Sequence, residues 1–454
     1  MANERYDVAI IGAGPAGALC AIQCAKAGLR SSLIEAEAKT KFGHPCVLEI
    51  ERGVFARCDV PAPSADEIVF AEKGYRMFGP TGEYAFSVGG DLVYALNLQT
   101  LVRRLVGYAE EAGVDVSYGL RAVRPIVEGA VVKGVVLQPR RGKERELLAR
   151  MVVDATGHGA AITRLLPAEC NIDFTDRASD WVVAEARMVA VDRDAAQRAI
   201  AAGRIEPDIM YHQIAAHGVY STISHMLDLK NAQMFALVGI KADYERPEPG
   251  RVLDELLEKL DFARETIIKD AGRIRIRRAS LKLVCDGFAT IGEAAGMVIP
   301  LHASGVASGM IAGYALGRHL GKILRGKREA TTARLWPWCA AYQRGRGSVL
   351  ASYDVNRRLM EAMDVHREAL PLINSGLMQG EDFKTALAAK PLHISATTVP
   401  RRIVGIAKNP LVAAKFFFFM PQVFAAMAHW KLAPPVWNRT AFNVWKTVAE
   451  RLLP

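Results

Sequence analysis

The 454-residue sequence predicts an α/β fold. A dinucleotide-binding β–turn–α–β unit opens the chain, an antiparallel sheet interrupts it, and helices close it. Three observations carry this prediction. The apolar run "YDVAII" gives way to the turn "GAGPAG", with an acid, Glu35, at the end of the next apolar run. Alternating runs such as "WVVAEARMVAV", "GVYSTISHML" and "AQMFALVGI" fill the middle of the chain. Beyond Glu329 the apolar spacing turns helical, with proline breaks.

Composition narrows the function classes. With 51% hydrophobic and 23% charged residues, the chain matches a soluble globular enzyme long enough for two or three subdomains. The formal net charge of +10 favours an anionic cofactor, an acidic substrate or a lipid surface. No nucleic-acid motif accompanies that charge, so nucleic acid is not expected as a partner. The cysteines have no C-x-x-C spacing, which speaks against a disulfide framework and a zinc site. With no signal peptide before the first strand, the expectation is a cytoplasmic protein without a metal, peripheral at the inner face of a membrane.

The elements follow in order. Gly12 allows a tight turn, Gly14 lets a pyrophosphate approach the N-terminus of a helix opened by Pro15 and Ala16, and Gly17 lets helix and sheet pack closely. Glu35, with Ala36 after it, closes the second strand and can accept from an adenosine ribose hydroxyl. Residues 39–91 read as loops with short strands, 97–113 as a helix and 114–118 as a strand. Two β-like runs, "AVVKGVVLQP" and "RELLARMVVDATG", complete the first part of the nucleotide domain, residues 1–170, and bring Asp154 and Gly157 to a sheet edge. Residues 171–282 form the inserted substrate-side sheet. Its last run, "RIRIRRASLKL", places Arg273, Arg275 and Arg277 on a wet strand face, or one of them on an anion. The nucleotide domain resumes over 283–328, and 329–454 is a helical region.

The late stretch "TIGEAAGMVIPLHASGVASGM" decides the cofactor. A strand delivers Gly292 and Glu293 to the edge of the nucleotide site. Gly296 relieves crowding, Pro300 turns the chain, and Gly305 and Val306 begin a helix whose N-terminus points N–H groups at an electron-rich ring. A nicotinamide needs no such second element, whereas a flavin does, so the two elements together imply one FAD. The pattern resembles the flavoprotein group that includes aromatic hydroxylases, flavin halogenases, lycopene cyclases and geranylgeranyl reductases. In that group a G-x-G-x-x-G unit and a late G-D-A-A-G/H-x-x-x-P-x-x-G-x-G segment hold one FAD on a glutathione-reductase-like, Rossmann-type domain. The segment "VVDATGHGAAITRLL" is most similar to the geranylgeranyl reductase branch, with Thr156 where the hydroxylases have an aspartate.

The resemblance implies roles residue by residue. Gly12, Gly14, Gly17 and Glu35 hold the ADP half. Glu293 stands where the group has an aspartate bonded to the ribityl chain, and Gly296, Pro300 and Gly305 form the isoalloxazine wall. Hydroxylases begin the helix after the irregular region with an arginine; here Asn97-Leu98 stands in that place and Arg103 comes more than a turn later. Cys46, in "KFGHPCVLE", is comparable with the cysteine that reductases carry near the flavin. The implied function is an FAD-dependent oxidoreductase acting through flavin N5 on an apolar, isoprenoid or quinone-like substrate, with electrons from NAD(P)H or a protein donor. Alternatives are a monooxygenase of an aromatic or polycyclic substrate and a non-redox cyclase.

Candidate catalytic residues are His302, between Pro300 and the late helix, and Cys46, each placed to move a proton beside the ring. His44 and Glu49 share the Cys46 loop, and Tyr211, His212, His217 and Tyr220 cluster in the inserted sheet. One segment is left over. "PLVAAKFFFFMPQVFAAMAHWKL", residues 410–432, is expected to form two short helices meeting at Pro421, buried as a core or lying on a membrane with Lys415, Trp430 and Lys431 at the interface.

Overall fold

A computed structural model describes residues 6–453 apart from 91, 175–176, 246, 327 and 394; Met1–Arg5, the polar lead-in, lie outside the described residues. The first layer is an eight-stranded sheet. Its parallel core runs in the order Phe288–Thr290, Arg145–Asp154, Tyr6–Ile11, Ser31–Ile34, Asp115–Ser117, with Val284–Cys285 antiparallel at one edge and the strands Val131–Pro139 and Leu120–Glu128 extending Arg145–Asp154. Ile11 pairs with Asp154 and Asp154 with Thr290, so these strands finish level and release three loops at one edge. In a parallel sheet that edge is where ligands bind.

The second layer has seven strands. Five come from the expected insertion: Ala263–Arg275, Trp181–Val191, Gln233–Lys241, Ser221–Asp228 and Ile209–Ile214. The other two, Gly74–Phe78 and Tyr84–Gly89, come from the stretch of the nucleotide domain expected to hold loops with short strands, and Gly74–Phe78 pairs parallel to Ile209–Ile214. Which sheet these short strands join is not legible locally, because the partner of Gly74–Phe78 lies more than a hundred residues away. A third small sheet, Val47–Glu51 with Val93–Asn97 and Ile68–Phe70, bridges the two layers.

Two sequence expectations are corrected. The strand expected through residue 283 stops at Arg275, and Arg275, Arg277 and Arg278 are buried rather than wet. Arg277 pairs with Asp180 at 3.1 Å and Arg278 with Asp173 at 2.9 Å, so carboxylates from another segment replace water. Residues 410–431 form one helix, Pro410–Lys431, that runs through Pro421. Pro421 is on the exposed face, so the Phe417 carbonyl that loses its N–H partner faces solvent and the helix survives.

The helices Thr332–Tyr342, Ser348–Glu361, Pro410–Lys431 and Arg439–Leu452 pack together, and Thr332–Tyr342 sets them against the edge strand Val284–Cys285 of the first layer. Trp336, Trp430, Phe442 and Trp445 are buried among them. His429 stacks on Trp445 with centroids 5.7 Å apart, and its ring bonds the Trp445 carbonyl at 2.8 Å. Trp430 therefore serves the core and is not an interfacial residue.

Candidate functional site

The site begins where the parallel strands end. Gly12, at φ +104°, would carry a Cβ 2.3 Å from the Ala155 carbonyl, so only glycine lets the two loops touch there. Gly14 precedes the helix Pro15–Lys26, no side chain caps it, and nothing lies within 4 Å of where its Cβ would be. Backbone N–H groups and the positive helix end are thus left facing open space, a ready anion cradle. The Glu35 carboxylate accepts from the Ala13 N–H at 3.1 Å and the Glu37 N–H at 2.8 Å, which ties the turn to the end of the second strand.

Asp154 organises the third loop from inside the protein. Fully buried, it accepts from the Thr156 N–H and hydroxyl (3.0 and 2.7 Å), the Ile162 N–H (3.1 Å), and the Thr163 N–H and hydroxyl (2.7 and 2.8 Å). Thr156 therefore supports the loop where an acid stands in hydroxylases, and Gly157 lies in the 3₁₀ turn beside it.

The late segment closes the opposite side. Gly292 sits at φ +64°, and the helix Val306–Ile323 starts at Gly305, again without a side-chain cap. Gly309, Gly313, Gly317 and Gly321 recur every fourth residue along that helix, and Cβ atoms added to the last three would lie 2.0–2.5 Å from atoms of Ala16, Cys20 and Ala27. This stripe lets the two helices touch backbone to backbone and brings both open N-termini to one place. The four-residue spacing is written in "GMIAGYALGRHLG".

These walls enclose a cavity of about 1370 Å³, above the roughly 300–1,000 Å³ usual for a small-molecule site. It is lined by Gly12, Gly14, Pro15, Ala16, Glu35, Ala36, Cys46, Gly157, Gly292, Glu293, His302, Gly305 and Val306. Gly17 packs behind the turn, against the Gly12 carbonyl. Three further expected residues do not line the cavity either. Arg103 sits one helical step past the cavity-lining Val102 and turns away, donating to the Thr40 carbonyl at 3.2 Å. Gly296 takes a left-handed conformation (φ +71°) and packs on the Arg278 carbonyl, and the Pro300 carbonyl accepts from the Tyr220 hydroxyl at 2.6 Å. Both brace the loop from outside.

Titratable groups gather at the far end. Burial lowers His302 to about 4, so the ring is neutral, and with Nε2 3.0 Å from the Ala386 carbonyl the proton belongs on that nitrogen. Burial, then Asp270, pushes the Cys46 thiol up to about 12, so it keeps its proton. Asp270 also bonds His44 at 2.6 Å, which raises the His44 pKa. His44, Cys46 and Asp270 offer ligand atoms within 4.8 Å of one another, a grouping of metal-ligand type that spacing in the sequence had not shown because Asp270 lies on the strand Ala263–Arg275. The three groups satisfy one another. Burial raises Glu293 against the opposing pull of His158 and Arg275, and burial raises Glu49 to about 7. Of the four residues singled out in the inserted sheet, His212 and Tyr220 line the cavity; Tyr211 instead stacks on His225, centroids 5.2 Å apart.

An open anion cradle, a continuous cavity of this size and a second uncapped helix end fit an FAD, which supplies hydride or electron transfer when bound. Known proteins agree. A digeranylgeranylglycerophospholipid reductase of Sulfolobus acidocaldarius is 24% identical over 429 residues, covering 91% of this chain and 90% of that protein. One from Methanosarcina acetivorans is 28% identical over 326 residues, covering 69% and 75%. Among solved structures, a geranylgeranyl bacteriochlorophyll reductase-like protein of Thermoplasma acidophilum superposes with TM-score 0.72 at 18% identity, covering 92% of this chain and 99% of its own. A flavin-dependent brominase gives 0.60 at 18% identity, covering 89% and 100%; both superpositions speak to fold. The FAD binding domain family matches residues 5–335, most of the chain, and the protein belongs to that family as an FAD-dependent oxidoreductase.

Proposed function

We propose that this oxidoreductase saturates carbon–carbon double bonds in a long isoprenoid chain drawn from a lipid surface. One observation carries the reading: beyond the glycine elements the cavity continues along an apolar wall made of Phe70 of the small sheet, Met77, Met210 and Phe235 of the seven-stranded sheet, and Phe383 and Leu387 of the helix Gly380–Leu387. A greasy extension of that kind suits a flexible hydrocarbon. The reductase relatives described above act on substrates of this class by name. In this reading Gly12, Gly14, Pro15, Ala16, Glu35 and Ala36 hold the ADP half of the cofactor, while Gly157, Gly292, Glu293, Gly305 and Val306 border its ring and ribityl portion. His302 then serves as a neutral hydrogen-bond donor at the ring edge. Cys46 lines the same end as a protonated thiol.

The test is anaerobic. Photoreduced enzyme mixed with a geranylgeranyl lipid should return to the oxidised flavin spectrum and yield a product two hydrogens heavier per turnover. A product carrying an oxygen atom, formed only in air, would establish the monooxygenase instead. Reducing equivalents come from NAD(P)H or an electron-transfer protein, and anaerobic bleaching by NADH or NADPH at catalytic rates would identify the nicotinamide.

The same reading places the helical region on a membrane. The helix Pro410–Lys431 is long and apolar enough to span one by length and composition, yet its inner face packs on the protein. Phe416 and Phe419 meet the Met363–Leu372–Val412 cluster, while Leu411 (86%), Phe418 (70%) and Phe417 (54%) stand exposed with Ile403, Val404 and Leu432. A helix half seated and half bare, with exposed Arg401, Lys408, Lys431 and Arg439 about it, suits the interface of an anionic bilayer. Lys415 contributes little there, because Glu368 holds it at 2.5 Å. At low salt the wild type should sediment with anionic liposomes, and the folded, FAD-loaded Phe417→Glu/Phe418→Glu protein should stay in the supernatant. Wild type that never sediments would remove the membrane from this reading.

A further inference from the structure

We infer that Glu49 is the acid that delivers the second hydrogen to the substrate, a role that rests on the double-bond reduction proposed above. Saturating a double bond breaks one C–C π bond and makes two C–H bonds. An FAD held there in its reduced form would supply the hydride for one carbon, giving up two electrons. The other carbon needs a proton, and the group that gives it must face the cavity, hold that proton at neutral pH and be recharged from solvent.

Geometry puts Glu49 at the meeting point of the two halves of the cavity. It lies on the strand Val47–Glu51, opposite Ala95, and lines the cavity wall. Its carbonyl accepts from the Ser304 hydroxyl at 3.4 Å, on the loop that carries His302 beside the late glycine element. Its carboxyl Oε1 accepts from the Tyr75 hydroxyl at 3.1 Å, and Tyr75 belongs to the substrate-side sheet. Oε2 has no partner among the described residues, and neither carboxyl oxygen is in an ion pair. A carboxyl with one neutral donor and no cation, in an apolar enclosure, keeps its proton.

The other groups at this end are less suited. The Cys46 thiol holds its proton up to about 12, and Asp270 beside it opposes the thiolate. His302 and His212 both sit near 4 because they are buried, so each is neutral, and His212 is bonded to Ser224 and Thr222 at 2.7 and 3.1 Å. Glu49, raised by burial to about 7, is matched to transfer near neutral pH. The titratable and charged groups on the elements packed around it are Tyr75 and Glu72, His302, His212, the Cys46–Asp270–His44 group, and Glu51, held in an ion pair by Arg346. Tyr75 has its pKa raised by burial and is neutral throughout the working range. Glu49 is the cavity carboxyl that changes in this window, an acid below about pH 7 and ionised above it, while His44, whose pKa Asp270 raises, is bonded to Asp270 and not to Glu49.

Glu49→Gln keeps the shape and the Tyr75 hydrogen bond but has no proton to give. In single-turnover reoxidation by a geranylgeranyl lipid, wild type should lose about tenfold in rate per pH unit above 7. Glu49→Gln should be about 10²-fold slower at pH 6 and flat with pH, with FAD content unchanged. A second readout needs no substrate. Difference infrared spectra taken across pH 6 to 8 should show a carboxylic-acid carbonyl band that titrates near 7 in wild type and is missing in Glu49→Gln. A variant within a few-fold of wild type with the same pH profile overturns the inference, as does the lack of that band. If wild type reduces no prenyl lipid but the band is present, the substrate proposal falls and Glu49 stands as the neutral acid of the cavity.

Discussion

Gly313→Val should yield no FAD-loaded protein. Any side chain at this position begins with a Cβ 2.0 Å from the Ala16 carbonyl oxygen and 2.9 Å from its carbon, and both are backbone atoms of the helix Pro15–Lys26. A flexible neighbour could swing away; a helix backbone cannot. The helices must separate by more than an ångström, and their N-termini, Pro15–Ala16 and Gly305–Val306, both form cavity wall. Overpacking of this kind costs about 1–3 kcal/mol even where side chains absorb it, and backbone collision exceeds that range. Against a total stability of about 5–15 kcal/mol, the variant should be largely insoluble, or soluble and colourless with a melting temperature several degrees lower. Gly107→Ala is the control: nothing lies within 4 Å of its added Cβ, so flavin absorbance per protein should match wild type. A yellow Gly313→Val protein with wild-type melting would show that the helices do not need this contact.

Asp354→Ala should cost about 3–5 kcal/mol in urea unfolding at pH 7. Asp354 is fully buried and accepts from Arg357 at 2.7 Å, Arg358 at 3.1 Å and the Arg278 N–H at 2.9 Å. Removing it leaves Arg357, itself 1% exposed, in apolar surroundings with Glu361 as its remaining carboxylate. The cluster continues through Arg358 and Arg277 to Asp180, and through Lys241 to Glu361, so it pins the helix Ser348–Glu361 to the substrate-side sheet at the cavity wall. The pH dependence has a definite sign. Burial pushes the Asp354 carboxyl up, but Arg357 and Arg358 outweigh it and hold the group at about 2, below the ordinary 3.8. Its contribution, roughly 2 kcal/mol, is therefore present above about pH 4 and lost as pH falls through 2. Wild type should weaken along that acid limb, and Asp354→Ala should lack this part of it. Unchanged urea midpoints would mean the arginines find other partners.

The sequence by itself determined the local frame of the nucleotide site. Gly12, Gly14, Glu35, Gly292 and Gly305 are fixed by backbone requirements that act within a few residues: a positive φ, an open helix end, a strand ending in an acid. Such requirements are written in residue type and spacing, so the FAD-binding fold was legible. The period-four glycines at 309–321 were legible too, because close helix contact leaves the same kind of mark.

Other features depended on long-range packing. Arg103 faces the Thr40 carbonyl because of the roll of its helix, which sequence spacing does not set. Arg275 and Arg277 look like a wet strand face until carboxylates and aromatic rings from other segments cover them. Asp270 meets His44 across 226 residues, and Glu49 meets Tyr75 only because residues 74–89 join the second sheet. Whether "KFFFF" is core or surface was likewise undecided in the sequence, since four consecutive rings surround a helix completely. Packing against Met363 and Leu372 seats one side, and Phe417 and Phe418 are left bare. Backbone conformation is decided within a few residues of chain, whereas a charge's neighbours and a ring's exposure are set by whichever segments the fold brings against it.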